Sequence, residues 1–300
     1  MASLSGALAT KAVMEESRLS GKVILYGTPA EEGGGGKIKL LKAGAYKDHQ
    51  VDINLISHPG ITADAALMRT AAFIAFKVEY FGKEAHAAAA PWEGINALDA
   101  LITAYNAISV LRQQTQPGDI IQGQITHGGI KPNIIHAYAS GNFVVRSRTR
   151  ARVQALKTRV DACFAAGATA TGAKLKVTYQ GSYDDHVPNR ALGASYRRHF
   201  NRLGGDIPTP EQDAVNATTA ASTDQGNVSY AMPSLSAGFW IRSEGKGAAR
   251  TEEAHALAMR VGKALAATAV DVLTDEKLLK EVKKEFEDMK KGLMGDHVSD

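Results

Sequence analysis

The chain has 300 residues, of which 44% are hydrophobic and 22% are charged, a composition typical of a globular protein with one large or two ordinary domains. The formal net charge is only +4 and the basic residues are dispersed, which argues against a nucleic-acid partner. The single cysteine, Cys163, excludes an intramolecular disulfide and fits a reducing compartment, so we expect a cytoplasmic protein. No apolar run approaches the ~20 residues of a membrane span, and the N-terminus does not resemble a signal peptide, so no membrane partner is expected.

The first 60 residues alternate between helix and strand patterns. We predict helices at residues 4–16 and 37–43 and buried strands at residues 22–28 and 52–58. This order is typical of a parallel, doubly wound sheet, in which ligands bind at the carboxyl ends of the strands.

Residues 71–181 follow a different pattern. Apolar and polar residues alternate from residue 73 to residue 82, as in a half-buried strand of an antiparallel sheet. The following segments predict a helix at 95–113, strands at 119–126 and 134–146, a helix at 151–171 and a strand at 174–180. The order βαββαβ is the ferredoxin-like split unit. We therefore predict an α/β chain whose doubly wound domain is interrupted by a ferredoxin-like insert.

The α/β pattern resumes after the insert. We predict helices at residues 188–203, 251–273 and 275–293, a polar loop at 206–213 and a strand at 234–241. The last helix carries apolar residues at alternating spacings of three and four, namely Leu279, Val282, Phe286, Met289 and Leu293. Such a seam predicts packing against this protein or against another helix.

Two acids stand at the end of the first predicted strand. Glu31 and Glu32 follow residues 22–28, and four glycines at 33–36 come next. Adjacent acids in unlike surroundings can take unlike roles, one binding a metal while the other moves protons. His58 ends the next predicted strand, so the three side chains are expected to converge on one crevice. The alternative is a polyglycine turn with two solvated acids.

Four further residues are candidates outside this crevice. His86 stands in a loop where it can reach a ligand or serve as a hydrogen-bonded turn residue. The amide of Asn133 can polarise a carbonyl or cap a hairpin. Arg146 follows an apolar strand, where it can grip a carboxylate or be solvated. Asp224, in a polar loop, could be structural.

Several motifs together resemble peptidase family M20, the aminoacylase/carboxypeptidase family of co-catalytic zinc hydrolases, and in particular its amidohydrolase and dipeptidase branch with the bacterial aminobenzoyl-glutamate hydrolases. The motifs are GTPAEEGGGGK, ISHPG, FGKEAHAAAAPWEGINALDA, GGIKPNIIH and ASTDQGNVSY, and the likeness spans roughly residues 1 to 273. The resemblance implies a zinc-binding α/β catalytic domain, at residues 1–69 and 182–300. It also implies a ferredoxin-like dimerisation (lid) domain at residues 70–181.

The resemblance also implies roles in the catalytic domain. Glu31 matches the general base that activates a metal-bound water, whereas Glu32 and His58 match metal ligands. The implied reaction is hydrolysis of the amide bond of small dipeptides or N-acyl amino acids, with two zinc ions in the family.

The remaining candidates match residues of the dimerisation domain. His86 resembles a histidine that reaches the active site of the partner subunit and stabilises the tetrahedral intermediate. Asn133 and Arg146 resemble residues that hold the carbonyl and the carboxylate of the substrate. A homodimer is therefore implied.

The chain departs from the family in its metal ligands. Family members carry further ligands in a segment that would precede Met1, and a late histidine that has no counterpart between Trp240 and His255. A catalytic zinc takes about three protein ligands. We therefore expect an N-terminally truncated chain and an impaired hydrolase. The alternative is a catalytically inactive family member that acts as a dimeric scaffold or binding protein.

Overall fold

A computed structural model of the chain describes residues 1–60, 63–242 and 250–295, except the side chains of residues 293–295. Its elements in chain order are α1 (Ala2–Ser17), α2 (Gly36–Lys42), α3 (Ala45–Asp48), β1 (Asn54–Gly60), β2 (Ala72–Phe81), β3 (Ala85–His86), α4 (Ala97–Leu111), β4 (Ile120–His127), β5 (Ile134–Ile135), β6 (Tyr138–Ser147), α5 (Arg150–Thr171), β7 (Lys174–Tyr183), α6 (Arg190–Arg202), α7 (Pro210–Asn216), α8 (Gln225–Ser229), β8 (Ser234–Trp240), α9 (Glu252–Thr274) and α10 (Glu276–Gly295). The mixed α/β fold class predicted from the sequence is confirmed.

The chain divides into two compact units. The first unit comprises Met1–Thr70, His186–Thr219 and Thr223–Asp300. The second unit comprises Ala71–Asp185 and Ala220–Ser222. None of the described helices is long and apolar enough to cross a membrane.

The first unit is built on a parallel pair of strands, β1 and β8. Their register runs from Asn54 opposite Ser234 to Gly60 opposite Trp240. Every residue of β8 before Trp240 is buried, as expected for a strand covered on both faces. Helix α9 contacts α1, α6 and β1, and the buried side chains of these elements form one apolar core.

Helices α1 and α9 approach closely because small residues face each other. A Cβ atom on Gly262 would lie 2.0 Å from the Oγ of Ser5, and one on Gly6 would lie 3.1 Å from the carbonyl oxygen of Gly262. A larger residue at position 262 would therefore push the two helices apart.

The final helix packs on its own unit, which decides between the two partners left open by the sequence. The side chain of Val282 is fully buried, and the amide of Asn189 donates to its carbonyl oxygen at 3.0 Å. The carboxylate of Glu285 accepts from the N–H groups of Arg190 and Ala191 at 2.8 and 3.1 Å, at the N-terminus of α6. The side chain of Leu293 lies outside the described part.

The second unit is a four-stranded antiparallel sheet in the order β4–β6–β2–β7. Helices α4 and α5 contact β2 and β6, and the core between them contains the rings of Phe76, Phe143 and Phe164. The hydroxyl of Tyr80 donates to the carbonyl oxygen of Phe164 at 2.7 Å. The predicted βαββαβ order is confirmed, with β3 and β5 as an additional pair of short strands.

The main correction concerns residues 22–28, which were predicted to form a strand. These residues belong to no strand, because no described segment pairs with them. Ile24, Tyr26 and Thr28 are half-buried while the residues between them are exposed, so burial still alternates as in a strand. The sequence pattern indicated the side-chain chemistry correctly, but a strand also needs a hydrogen-bonded neighbour.

Two smaller corrections concern breaks in predicted elements. The strand predicted at 134–146 is divided into β5 and β6 at residues 136–137. The loop predicted at 206–213 contains the start of α7, where the hydroxyl of Thr209 caps the helix by accepting from the N–H of Gln212. Pro210 at the first position of that helix is a start signal, which the loop prediction overlooked.

Candidate functional site

The two acids lie on a tight turn between residues 22–28 and α2. Glu31 is half-buried and Glu32 is exposed. Ala30 has a left-handed backbone, with φ of 65°. A Cβ atom on Gly36 would lie 1.9 Å from the carbonyl oxygen of Pro29, so the last glycine of the run allows a backbone approach that no other residue permits. The turn therefore fixes where the two carboxylates leave the chain.

A buried ion pair holds the end of this turn. Asp224 is fully buried, and its carboxylate accepts from the backbone N–H of Lys37 at 2.9 Å and from the Nζ of Lys37 at 2.6 Å. Lys37 directly follows the four glycines, so Asp224 is bound to the first turn of α2. Asp224 is one of the candidates from the sequence, whereas Lys37 is not, although the run GGGGK puts a cation next to the turn.

His58 lies within β1 and not at its end, because the strand continues to Gly60. It is exposed and stands opposite Gly238 of β8. We keep as a prediction that the Glu32 carboxylate and the His58 imidazole lie within roughly 5 Å of each other, as ligands of one metal would. Among the described residues, no three His, Cys, Asp or Glu side chains are grouped so that they could hold a metal ion. The residues that the structure describes therefore do not complete a metal centre by themselves.

His86 and Asn133 are brought together in the second unit. Strand β3 pairs with β5, and the N–H of Ala87 donates to the carbonyl oxygen of Asn133 at 2.9 Å. The ring Nδ1 of His86 accepts from the N–H groups of Ala88 and Ala89 at 3.2 and 3.1 Å. A neutral His86 ring therefore carries its proton on Nε2, and the exposed side chain offers that N–H as a donor. His86 is thus a hydrogen-bonded turn residue. Because its Nδ1 is used by the turn, its Nε2–H is the group that it could offer to a ligand, so the two interpretations are compatible.

Arg146 is held by side chains of its own unit. Its Nη1 donates to the Oγ of Ser222 at 2.9 Å, and its Nε donates to the Oε1 of Gln122 at 3.2 Å. The guanidinium lies over the ring of Phe73, 5.2 Å from its centre. Burial lowers the pKa of Arg146 from its ordinary value. These contacts hold a half-buried guanidinium near the end of β6, and its role as a carboxylate-binding group stays a prediction.

Arg146 and the start of the segment that leads to His86 lie at opposite ends of the β2–β6 pair. Tyr138, at the start of β6, pairs with Phe81, five residues before His86. Arg146 is eight residues further along β6, which places it roughly 26 Å from Tyr138 at about 3.3 Å per residue. The substrate-binding candidates of one subunit therefore lie at opposite ends of the sheet.

Comparison with known proteins identifies the second unit and gives relatives for most of the chain. Residues 70–171 match the M20 peptidase dimerisation domain. The Xaa-Arg dipeptidase of Mus musculus is 40% identical over 273 residues, which cover 88% of this chain and 62% of that protein. One of the p-aminobenzoyl-glutamate hydrolase subunits of Escherichia coli is 30% identical, over 70% of this chain and 43% of its own length. The chain thus spans about three fifths of the length of the Xaa-Arg dipeptidase it matches.

Solved structures share the fold. An aminobenzoyl-glutamate utilization protein from Klebsiella pneumoniae superposes with a TM-score of 0.67 at 20% identity, over 90% of this chain and 67% of that one. A dinuclear metal-binding peptidase of family M20 from Bacillus subtilis superposes with a TM-score of 0.64 at 19% identity, over 88% of this chain and 70% of that one. With the matched domain and the relatives, these likenesses confirm the resemblance that the motifs indicated: the chain belongs to peptidase family M20.

Proposed function

We propose that this chain carries the catalytic turn and the dimerisation domain of a metal-dependent hydrolase. Its substrates are the amide bonds of small dipeptides or N-acyl amino acids. The observation that supports this best is the 40% identity to a dipeptidase over most of the chain. The names of the two hydrolase relatives agree on amide substrates that carry a carboxylate.

In this proposal the general base is Glu31. Its carboxylate takes the proton of the attacking water, and its half-buried position on the turn supports this role. The Lys37–Asp224 pair keeps the turn in place through two hydrogen bonds, so the carboxylate does not have to be positioned anew at each turnover.

The substrate is bound by groups from two subunits. The Nε2–H of His86 donates to the oxygen that becomes negative when water attacks, and the Asn133 amide assists it. Arg146 binds the substrate carboxylate. Because Arg146 lies roughly 26 Å from the strand start near His86 within one chain, the proposal requires a homodimer in which His86 of one subunit serves the site that holds Arg146 of the other.

Glu32 and His58 are the proposed metal ligands. A carboxylate and an imidazole are donors that zinc accepts, but two ligands fall short of the three that a catalytic zinc site takes. We therefore expect weak zinc binding by residues 1–300. Because the described residues do not complete a metal site, the proposed steps involve only protein side chains.

The first test measures hydrolysis of a dipeptide with C-terminal arginine and of p-aminobenzoyl-glutamate, with and without added zinc. The proposal expects zinc-dependent turnover that falls by at least 100-fold in Glu31→Gln. Glu16→Gln, an exposed acid at the end of α1, is the control and leaves turnover unchanged. A dimer that binds no zinc and hydrolyses neither substrate would instead favour the alternative function, a dimeric scaffold or binding protein.

The second test asks whether the site is shared between subunits. His86→Ala and Arg146→Ala homodimers are each expected to be inactive. Mixing and reassembling the two variants gives heterodimers in which one site has both residues intact. Recovery of up to half the wild-type turnover per heterodimer is expected, and no recovery in verified heterodimers contradicts the shared site.

A further inference from the structure

The first unit contains an apolar cleft that no described strand fills. Its volume is about 660 Å³. It is lined by residues 20–28, by residues 49–56 and by small and apolar side chains of α1 and α9. Residues 54–56 begin β1, and residues 22–28 alternate in burial as a strand does, so the cleft is lined by one strand and by one segment of strand chemistry.

The edge of β1 at this cleft has unpaired backbone groups. The N–H of Asn54 donates to Pro233 at 2.9 Å and the carbonyl oxygen of Gly60 accepts from Ile241 at 2.8 Å, so the even-numbered residues of β1 face β8. Successive residues of a strand turn their N–H and C=O groups to opposite edges. Leu55 and Ser57 therefore direct theirs to the other edge, where no described strand pairs with them.

Residues 22–28, which also line the cleft, are unpaired like this edge of β1. Residues 22–28 have the sequence KVILYGT, which favours a strand, yet no described strand pairs with them. Leu25 is 52% exposed and Val23 is 36% exposed. A run that is apolar on both faces is typical of a strand buried inside a parallel sheet, and here Val23 and Leu25 are left in solvent on one face.

One buried polar group at the cleft also lacks a donor. Gln225 is fully buried and lines the cleft. Its Nε2 donates to the Oδ1 of Asn54 at 2.7 Å, whereas its Oε1 has no partner among the described residues. An unpaired buried amide oxygen is costly, so an occupant that donates a hydrogen bond there gains affinity.

We propose that the cleft binds an extended, apolar polypeptide strand that pairs with the free edge of β1. Its source is the part of a family member that this chain does not span, since relatives that match most of this chain are about half as long again. Backbone pairing would provide affinity and alternate apolar side chains would provide specificity, as in other strand-addition complexes. The inference concerns sheet assembly and is independent of catalysis.

The test uses synthetic peptides of 15 residues that tile the part of the mouse Xaa-Arg dipeptidase without a counterpart here. Binding to the 300-residue chain is measured by fluorescence anisotropy, and hydrogen exchange locates it. At least one peptide is expected to bind and to protect the amides of Leu55 and Ser57. The amides of Ile56 and His58, which already face β8, serve as the internal control.

A pair of matched variants tests the position. Leu25→Asp puts a charge on the cleft wall, whereas Leu8→Asp changes an equally exposed leucine of α1 that does not line the cleft. We expect Leu25→Asp to weaken peptide binding at least tenfold and Leu8→Asp to leave it unchanged. Both side chains are exposed, so circular dichroism is expected to show wild-type folding in each variant.

Three results would overturn the proposal. The first is that no tiled peptide binds, and the second is protection that appears away from Leu55 and Ser57. The third is self-association that Leu25→Asp abolishes, which would make the cleft an interface between copies of this chain. None of these readouts depends on hydrolysis, so the outcome is separable from that of the proposed function.

Discussion

A buried histidine is expected to make the first unit sensitive to mild acid. His186 is 1% exposed, and its Nδ1 donates to the carbonyl oxygen of Met68 at 2.8 Å. The other ring nitrogen, Nε2, has no partner among the described residues. Burial lowers the pKa of His186 from 6.5 to about 4, partly opposed by the hydrogen bond to Met68. The folded state therefore holds a neutral ring in a site that disfavours its charged form.

The sign and size of the effect follow from linkage. Above pH 7 the ring is neutral in both states and contributes no pH dependence. As the pH falls below 6.5, the unfolded chain takes up a proton that the folded chain does not, so the free energy of unfolding decreases until the pH reaches about 4. The full loss is about 3 kcal/mol, of which about 2 kcal/mol is reached at pH 5, before most carboxylates titrate.

The assay is urea unfolding at pH 7.5, 6 and 5. Trp240 lies in the first unit and Trp92 in the second, so a Trp92→Phe background makes the fluorescence of Trp240 specific for the first unit. His186→Gln is expected to lose stability at pH 7.5 but to lose the pH dependence as well. His255→Gln, at an exposed position of α9, is expected to keep the wild-type slope.

Two results would refute this reasoning about His186. One is a free energy of unfolding that stays constant between pH 7.5 and pH 5 in the wild-type background. The other is an unchanged slope in His186→Gln, which would assign the proton uptake to a different group.

Two further predictions concern the turn that carries the acids. Lys37→Met leaves the fully buried Asp224 without its cation, so it is expected to lower the free energy of unfolding by about 3–5 kcal/mol, measured by urea unfolding. The control is Lys39→Met, at an exposed position of α2, which is expected to change stability by less than about 0.5 kcal/mol. Gly36→Ala places a Cβ atom 1.9 Å from a backbone oxygen and is expected to cost about 1–3 kcal/mol and to open the turn to limited proteolysis. Gly27→Ala, which meets no atom within 4 Å, is the control, and equal protease sensitivity in both variants would contradict the close approach.

The sequence predicted best where local pattern decides the structure. Strand β2 alternates buried and half-buried residues as its sequence does, and helix α5 begins after Thr149, whose hydroxyl caps it by accepting from the N–H of Arg152. Both features depend on neighbours in sequence. The division of one predicted strand into β5 and β6 depends instead on which segment lies alongside, and β5 pairs with β3 while β6 pairs with β2. No periodicity within the segment itself could predict that change of partner.

In the candidate site, too, the sequence pattern does not predict contacts between residues that are distant in the chain. Glu31, Glu32 and His58 were predicted from the expectation that a doubly wound sheet carries its chemistry at strand ends, and their roles stay a prediction. The Lys37–Asp224 pair joins residues far apart in sequence and carries no pattern of its own, so only the structure reveals what holds the turn.

The strand prediction at residues 22–28 is wrong about pairing, but it indicates what kind of partner the cleft would bind. These residues have strand chemistry and alternating burial, and β1 has a free edge, yet the described residues supply no strand between them. A sequence pattern records the environment for which its side chains are suited, whereas a strand assignment records the neighbours that are present. The proposed strand partner would resolve this disagreement at one position. Such a partner is extended, apolar on both faces, and able to donate a hydrogen bond to the buried Gln225.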